Sequence, residues 1–341
     1  MKKLAKAKIL VLLLLLLYPF NLSAVSANDE TVGYSVRAII PENQLNREVT
    51  YFDLRVEPNQ KQVINVEILN SSQEDIEIDI HITNPITNSN GLIDYTNVEA
   101  KPEESLKIPI IEIATVEEKT VSIQAGKSVI LPIYLEIPKE EFLGIILGGI
   151  YFEKKMDKDE GKKKEGVQIT NKYSYVIGLK LKESDREVEP DLLLKSVKPA
   201  LVNYRTAVIA KIQNSAPTIA EKLAINGILY NSKGKEVRRI EVENYRMAPN
   251  SSMDFVIDWE KKELKPGKYT LSMHANSGMQ NWDWEDEFTI PKEQAQLLNE
   301  EAIEINKDYS LAIYLGFSLI VLILLSIIVW LVRRNKQLKG K

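Results

Sequence analysis

The histidines are the first residues to consider for catalysis, because imidazole exchanges protons near neutral pH. The chain has 341 residues and two histidines, His81 and His274. His81 falls on the polar side of a predicted strand, and no serine nucleophile motif lies beside His274. The sequence also lacks a His-Glu-x-x-His pattern, a Gly-x-Ser-x-Gly pattern, a phosphate-binding glycine loop and any cysteine. These observations predict a protein that is not an enzyme.

Carboxylates are the remaining groups that could perform acid–base chemistry, and the chain has 48 of them. Counting alone leaves a glycosidase pair open, so a cell-wall hydrolase or another envelope enzyme is the alternative interpretation. The acidic run Asp283, Glu285, Asp286 and Glu287 suggests a calcium site. Neighbouring residues of a strand point to opposite faces, however, so these oxygens would not converge on one ion. We therefore predict no metal and no cofactor.

Residues 84–95 contain more amide side chains than a turn requires. Amides both donate and accept hydrogen bonds, and an aromatic ring among them suits the recognition of a glycan or a peptide. The alternative is that Asn and Gly simply support the turn backbone here. The candidate glycan-binding residues are Asn84, Thr87, Asn88, Asn90 and Tyr95.

Two further segments could bind a partner through apolar groups. Trp282 and Trp284 share one face of a predicted strand and are candidate partner-binding residues, with half-buried tryptophans at a domain edge as the alternative. Residues 142–152 are apolar throughout and include Gly144, Gly148 and Gly149. This composition predicts a core strand with close backbone approach at the glycines, and a flat apolar ligand surface is the alternative.

Alternation with a period of two places these residues on β-strands. Ile76, Ile78 and Ile80 alternate with polar residues, and polar turns separate the segments of this type. We predict an all-β fold with two tandem immunoglobulin-like β-sandwich domains, at residues 31–153 and 167–290. Residues 154–166 are dense in charge and glycine and are predicted to be an interdomain linker.

The two ends of the chain resemble export and membrane signals. Residues 1–27 have a lysine-rich start, an apolar stretch and small residues at the end, which is typical of a cleaved signal peptide. Residues 291–310 predict a juxtamembrane helical stalk, and the uncharged, apolar residues 311–332 predict one C-terminal transmembrane helix. Residues 333–341 would then form a cytoplasmic tail.

Positive charge after the predicted span sets the expected topology. Arg333, Arg334 and Lys336 follow it, and positive residues stay on the cytoplasmic side of a membrane. The expectation is a single-pass cell-membrane protein with its N-terminus outside. Its net charge is −4, and the signal and the tail hold nine of its cations, so the region between them is strongly acidic. Such a surface does not hold nucleic acid by bulk electrostatics.

Several short motifs, in order along the chain, resemble the WxL-interacting proteins of Gram-positive bacteria. In the first predicted domain, Pro41-Glu-Asn-Gln44, Tyr51-Phe-Asp-Leu-Arg-Val56 and Thr87-Asn-Ser-Asn-Gly91 are similar to that family. In the second, Met247-Ala-Pro-Asn-Ser251 and Trp282-Asp-Trp284 are similar. The chain is not itself a WxL protein, because no Trp is followed two places later by Leu.

The resemblance implies a function that composition and periodicity do not show. It implies a non-enzymatic surface adhesin or scaffold whose first domain binds peptidoglycan. The second domain would bind WxL-domain surface proteins or host extracellular matrix proteins. The expected location of the ectodomain is the Gram-positive cell wall, with the chain anchored to the membrane by its C-terminal helix.

Overall fold

The computed structural model describes residues 32–155, 173–305 and 310–339, and within the last segment it describes the side chains of residues 316–330. From Tyr34 onward, the described residues belong to one compact unit. The predicted signal peptide lies outside the described residues, as do residues 156–166 of the predicted linker. Arg333, Arg334 and Lys336 lie outside the described side chains, so the topology they imply stays a prediction.

The first sandwich is built from two sheets in which most neighbouring strands are antiparallel. One contains Tyr34–Ile39 (β1), Lys61–Asn70 (β3), Ala114–Thr115 (β7) and Ser128–Glu136 (β9), in the order β1-β3-β9-β7. The other contains Phe52–Arg55 (β2), Ile76–Thr83 (β4), Thr120–Ile123 (β8), Ile146–Lys154 (β10) and Ser174–Lys182 (β11), in the order β2-β11-β10-β4-β8. A short ribbon of Ile86–Thr87 (β5) and Ile93–Asp94 (β6) and a one-turn helix, Ile110–Ile113 (α1), complete this part. The alternating isoleucines of β4 point inward as predicted, with Ile78 and Ile80 buried.

Strand β11 belongs to the first sandwich, although we expected the second domain to begin at residue 167. It pairs antiparallel with β10, with Gly178 opposite Gly149, and parallel with β2. An ion pair between Lys180 Nζ and Asp53 Oδ1, 3.3 Å apart, adds to the contact with β2. The charged segment 154–166 therefore follows one strand and precedes its direct neighbour in the same sheet. Composition identified a polar connection, but only strand pairing shows which elements it connects.

The second sandwich has a three-stranded and a four-stranded sheet. The first contains Leu192–Val202 (β12), Arg205–Asn214 (β13) and Ser251–Asp258 (β16), in the order β12-β13-β16. The second contains Ala220–Asn231 (β14), Glu236–Met247 (β15), Gly267–Ser277 (β17) and Gln280–Ile290 (β18), in the order β15-β14-β17-β18. Its core includes an aromatic cluster in which Tyr269 meets Trp259 edge-on and stacks on Phe288, with ring centroids 5.7 Å apart in both pairs. The all-β, immunoglobulin-like prediction is confirmed for both sandwiches.

The helix predicted at residues 291–310 as a stalk is shorter and packs on the second sandwich. It spans Lys292–Glu301 (α2) and buries Ala295 in the core. Asn299 accepts a hydrogen bond from Leu264 N at 2.8 Å and donates one to Leu264 O at 3.0 Å. Two hydrogen bonds to one backbone residue hold the helix against the domain. The structure therefore shows a helix within the predicted stalk segment, and this helix packs on the domain.

The C-terminal helix spans Ser310–Lys339 (α3). Among the residues that the structure describes, no helix is long and apolar enough to cross a membrane, so the transmembrane helix predicted at residues 311–332 is not supported.

The glycines of the apolar segment allow the close approaches that the sequence predicts. A Cβ built on Gly148 would lie 2.4 Å from a side-chain carbon of Ile110 in α1. A Cβ on Gly149 would lie 2.7 Å from the Cβ of Tyr95. Real Cβ contacts are not this short. Both positions therefore require glycine so that Ile110 and Tyr95 can pack directly against the backbone of β10.

Candidate functional site at the domain junction

The β5–β6 ribbon reaches from the first sandwich onto the second. Its tip is a tight turn in which Asn88 Oδ1 accepts hydrogen bonds from the backbone N–H groups of Asn90 and Leu92. Gly91 has a positive φ of 66°, and a Cβ there would lie 2.0 Å from Cγ of Tyr245 in β15. Gly91 O accepts a hydrogen bond from Arg246 N at 2.7 Å. Glycine at this position therefore allows the turn to lie flat on β15.

Thr87 makes the most buried polar contact between the two sandwiches. Its Oγ1 accepts a hydrogen bond from Ala248 N at 2.9 Å and lies 2.6 Å from Ser251 Oγ. Ser251 Oγ also donates to Ala248 O at 2.9 Å, which uses its single hydrogen. Thr87 is therefore the donor to Ser251, and both hydroxyls are fully used within the junction.

A second contact joins the start of the apolar segment to the loop after β13. Ile145 N donates to Pro217 O at 2.8 Å. Gly144 has a φ of +75°, and a Cβ there would lie 2.2 Å from Pro217 O. At the edge of the same contact, Gln213 Nε2 donates to Ser105 Oγ at 3.3 Å, and Lys211 Nζ lies 3.5 Å from a carboxylate oxygen of Glu103.

Between these contacts lies an apolar cleft with a volume of about 400 Å³. The first sandwich contributes most of its apolar lining together with Ser105 and Lys107. Three prolines and two polar residues come from the ribbon entrance and the second sandwich. The lining includes Pro85, Leu106, Phe142, Leu143, Ile145, Pro217, Pro249 and Asn250. A cavity of this size and composition is typical of ligand sites, and domain interfaces are a common place for them.

Two polar residues adjoin residues of the lining, Glu183 by a hydrogen bond and Asn84 in sequence. Phe142 N donates to Glu183 Oε2 at 2.9 Å, and burial raises the pKa of the Glu183 carboxyl while this hydrogen bond opposes the rise. Asn84, which precedes Pro85 of the lining, is 5% exposed, and its Oδ1 has no hydrogen-bond partner within the described chain. A buried acceptor without a partner is unusual and costs free energy.

Comparison with known families decides what these two sandwiches are. Residues 34–154 match the description "WxL Interacting Protein, peptidoglycan binding domain", and residues 164–300 match "WxL Interacting Protein, host binding domain". The chain belongs to the WxL-interacting protein family. The predicted resemblance is confirmed, in the predicted domain order. The two domains, both described as binding domains, make it a cell-surface protein that binds peptidoglycan and WxL proteins or host factors.

Similar solved structures include bacterial fimbrial chaperones. The structure titled "Chaperone-tip adhesin complex is vital for synergistic activation of CFA/I fimbriae biogenesis" is 14% identical, covers 75% of this chain and 97% of that chain, and has a TM-score of 0.31. The E. coli chaperone DraB is 13% identical, covers 76% of this chain and 97% of that chain, and has a TM-score of 0.29. Scores this low carry no functional argument. A search of curated proteins finds no match.

The boundary between the two family domains falls between β10 and β11. Residues 164–300 of the host-binding match include Ser174–Lys182, yet this strand completes a sheet of the peptidoglycan-binding domain. The ribbon makes the reciprocal contact, from the peptidoglycan-binding domain onto the host-binding domain. In this chain, each domain therefore contributes a segment that contacts the other domain: β11 joins the peptidoglycan-binding domain, and the ribbon lies on the host-binding domain.

The structure gives the predicted glycan-binding residues different environments. Asn84 and Thr87 are buried at the junction, and Asn88 stabilises its own turn. Tyr95 packs over Gly149, where burial raises the pKa of its phenol to about 12 and the charge of Arg246 opposes the rise. Asn90 is exposed. The five residues form one segment, but most of them contact the protein itself.

The predicted partner-binding tryptophans lie on β18 at the edge of the host-binding domain. Trp282 and Trp284 are partly buried against its core, opposite Ala275 and Met273 of β17. Asp283, the acidic residue between them, is exposed, and its Oδ1 lies 2.8 Å from Nδ1 of His274. Glu285 and Glu287 line a polar depression of about 650 Å³ on the same outer face. Within the described ranges, no three His, Asp or Glu side chains converge as metal ligands would.

Sequence reasoning missed the junction because its residues are far apart in the chain. Gly144 was noted only as a glycine of a core strand, and Ser251 only as part of a family motif. Pro217 and Tyr245 carried no signal, because a proline in a loop and a tyrosine on a strand are both ordinary. The positive φ at Gly91 and Gly144 shows their role only once the opposing residue is known.

Proposed function

We propose that this chain is a wall-bound adaptor. The peptidoglycan-binding domain holds the wall, and the host-binding domain, together with the junction, holds a WxL-domain surface protein. Holding both ligands on one chain raises the effective concentration of each near the other, so modest individual affinities suffice. Host extracellular matrix proteins are the second candidate partner, which the description of the host-binding domain favours.

The main support for this proposal is that each domain contributes a segment that packs against the other. β11 extends a sheet of the peptidoglycan-binding domain from within the host-binding match, and Thr87 is fully hydrogen-bonded to the host-binding domain. Buried, satisfied polar contacts favour one arrangement of two domains over many. A partner bound on the second domain is then presented at a fixed place relative to the wall.

For the wall itself, we propose Asn90 as a glycan contact. It is exposed at the tip of the ribbon, and the backbone around it is held by Asn88 and Leu92. An amide on a rigid turn can donate and accept hydrogen bonds to a sugar at little entropic cost.

A bridging assay tests the adaptor function. Insoluble peptidoglycan stripped of teichoic acid is mixed with a fluorescent WxL-domain protein, with and without this chain, and sedimented. We expect the fluorescence to pellet saturably and only when this chain is present. Asn90→Ala should lower the amount of this chain that pellets by a few-fold, while Asn281→Ala, an exposed amide on the other domain, should not.

The outcomes separate the parts of the proposal. If this chain pellets but the fluorescent protein does not, the wall-binding role stands and the WxL partner is wrong. A fibronectin- or collagen-coated surface then tests the host partner. If this chain stays in the supernatant, the adaptor function is contradicted. If Asn90→Ala pellets as well as the unaltered chain, glycan binding lies elsewhere on the domain.

A further inference from the structure

Strand β18 is the outermost strand of the four-stranded sheet in the host-binding domain, and its outer edge is open. It pairs with β17 from Gln280 to Ile290 without a register shift. Among the described residues, no strand other than β17 pairs with it, and β12 of the other sheet lies beside it without a backbone hydrogen bond. Every second residue of such an edge strand directs its N–H and C=O away from the sheet, where they can pair with another chain.

Two other edge strands of this domain carry features that prevent pairing. β12 contains Pro199 and a bulge between Leu194 and Ser196. β15 has three interruptions in its register with β14, and the guanidinium of Arg238 reaches from it to Asp258 O on β16. Prolines and bulges are common ways in which proteins protect their sheet edges. β18 has neither, so its regular edge is available to a partner.

The charges on β18 all have one sign. The strand contains Asp283, Glu285, Asp286 and Glu287, and no Lys, Arg or His. Three of these carboxylates, Asp283, Glu285 and Glu287, are exposed at alternate positions, so they share one face at intervals of about 6.4–6.8 Å. Asp283 lies beside His274, whereas Glu285 and Glu287 form no ion pair within the described chain. This face of the edge therefore favours positive charge at the same spacing.

On the other face of β18, the apolar side chains near its start are incompletely covered. Trp282 and Trp284 are only partly buried, whereas Phe288 and Ile290 further along the strand are buried. A neighbouring strand would cover more of the two tryptophans, and tryptophan side chains often contribute strongly to the affinity of an interface. These are the two residues that the sequence suggested for partner binding.

A strand added to this edge would contact both faces at once. Residues directly opposite each other in neighbouring strands share a face, and pairs of opposite charge are stabilising there. Lys or Arg at every second position of the added strand would lie opposite the exposed carboxylates, and apolar residues between them would lie against the tryptophans. A second copy of β18 does not meet this requirement, because it would place carboxylates opposite carboxylates.

We propose that β18 binds an extended, basic protein segment in which Lys or Arg alternates with apolar residues, by addition of that segment as a further strand. Backbone hydrogen bonds then supply affinity, and the alternation of side chains supplies specificity. The proposal rests on the proposed function in taking the host-binding domain as the one that holds a protein partner. The chemistry of the segment follows from the charges and the open edge of β18.

The test measures binding of labelled peptides to the full chain by fluorescence anisotropy at low ionic strength, where charge pairs are least screened. The probe is a short peptide in which Lys and Val alternate, with both ends blocked. A peptide of the same composition, with its lysines and valines in two blocks, is the first control. Two further peptides are N-methylated, one at the lysines and the other at the valines. N-methylation removes N–H donors and keeps every charge.

We expect the alternating peptide to bind at least about fivefold more tightly than the block peptide. One N-methylated peptide should bind like the unmodified peptide, and the other at least about tenfold less well, because only alternate N–H groups of an added strand face its neighbour. Glu285→Lys should weaken binding at least about fivefold. Glu243→Lys makes the same charge change at an exposed position of β15 and should stay within about twofold.

Several results would overturn the proposal. Equal binding of the alternating and block peptides, or of the two N-methylated peptides, contradicts strand addition. Equal weakening by Glu285→Lys and Glu243→Lys places the peptide elsewhere. If the alternating peptide fails to bind while the bridging assay succeeds, this proposal alone is wrong. If the peptide binds as expected but the fluorescent protein does not pellet, the WxL partner is wrong and the assignment of the β18 edge stands.

Discussion

At the scale of single residues, some glycines are required because an added Cβ atom would clash with a neighbouring segment. Gly149 and Gly178 are paired neighbours on β10 and β11, yet their surroundings differ. A Cβ on Gly149 would lie 2.7 Å from the Cβ of Tyr95, whereas one on Gly178 would lie 3.6 Å from that of Tyr51, an ordinary contact.

We predict that Gly149→Ala destabilises the protein while Gly178→Ala does not. The first change forces Tyr95 or the strand to move, at a cost of about 1–3 kcal/mol. The second adds a methyl group at ordinary van der Waals distance from its neighbours and lowers the conformational entropy of the unfolded chain. Its effect on the free energy of unfolding should therefore lie within about 1 kcal/mol of zero. Urea unfolding followed by circular dichroism measures both. Equal destabilisation would show that the Tyr95 contact is not what requires glycine at Gly149.

The buried phenol of Tyr95 gives a prediction about alkaline pH. Its pKa is raised to about 12, first by burial, so the folded state favours the neutral phenol. A phenol with a folded pKa above its unfolded value of about 10 contributes stability that is complete below pH 10 and is lost as pH rises toward 12. Tyr95→Phe should therefore lose less stability than the unaltered protein between pH 10 and pH 12.

Unfolding midpoints measured across that range test this prediction. The exposed Tyr204, changed to Phe, is the control and should leave the alkaline slope unchanged. A Tyr95→Phe variant with the same slope as the unaltered protein would show that Tyr95 titrates normally in the fold.

At the scale of elements, β11 is the strand that joins the two family domains. It is the strand partner of β2 and one of two partners of β10. The parallel pairing of β11 with β2 is difficult to infer from the sequence, because the two strands are far apart in the chain. The alternation of apolar and polar residues along a strand is the same whichever sheet the strand joins.

We predict that residues 32–155 expressed alone do not fold cooperatively, whereas residues 32–187 do. Without β11, the buried Phe52 and Leu54 of β2 lose their neighbouring strand, and one side of β10 is left unpaired. Thermal unfolding followed by circular dichroism distinguishes the two fragments. A sharp, reversible transition in the shorter fragment would contradict the role assigned to β11.

At the scale of the whole molecule, the contacts at the junction determine whether two binding domains act as one body. Gly144 and Gly234 both have positive φ, of +75° and +71°. A Cβ on Gly144 would meet Pro217 O at 2.2 Å, and one on Gly234 would meet nothing within 4 Å. The two positions share backbone strain and differ only in the contact across the junction.

We predict that Gly144→Ala loosens the two domains and Gly234→Ala does not. Both substitutions should lower the free energy of unfolding by about 1–2 kcal/mol, because an L-residue with a Cβ is disfavoured in the left-handed backbone conformation. Gly144→Ala alone should split thermal unfolding into two transitions and increase the radius of gyration in small-angle scattering. A single transition and an unchanged radius for Gly144→Ala would show that the remaining contacts hold the domains without this one.

The sequence by itself determined the all-β class, the two sandwiches and the family. Alternating isoleucines identify β4, because a strand buried on one face has an apolar residue at every second position. Glycines in an apolar run indicate close packing on β10, because only glycine allows another segment to approach the backbone so closely. Short motifs such as Met247-Ala-Pro-Asn-Ser251 carried the family resemblance that comparison confirmed.

Tertiary structure alone decided the sheet that β11 enters, the docking of α2 through Asn299 and the junction between Thr87 and Ser251. It also placed Asn84 and Thr87 inside the protein, where the sequence had suggested a glycan surface, and left the predicted transmembrane helix unsupported. The physical reason is that a side chain's type shows what it can bind, whereas its actual partner lies far along the chain, 35 residues away for Asn299 and Leu264 and 164 for Thr87 and Ser251. Such long-range pairing has no local pattern in the sequence.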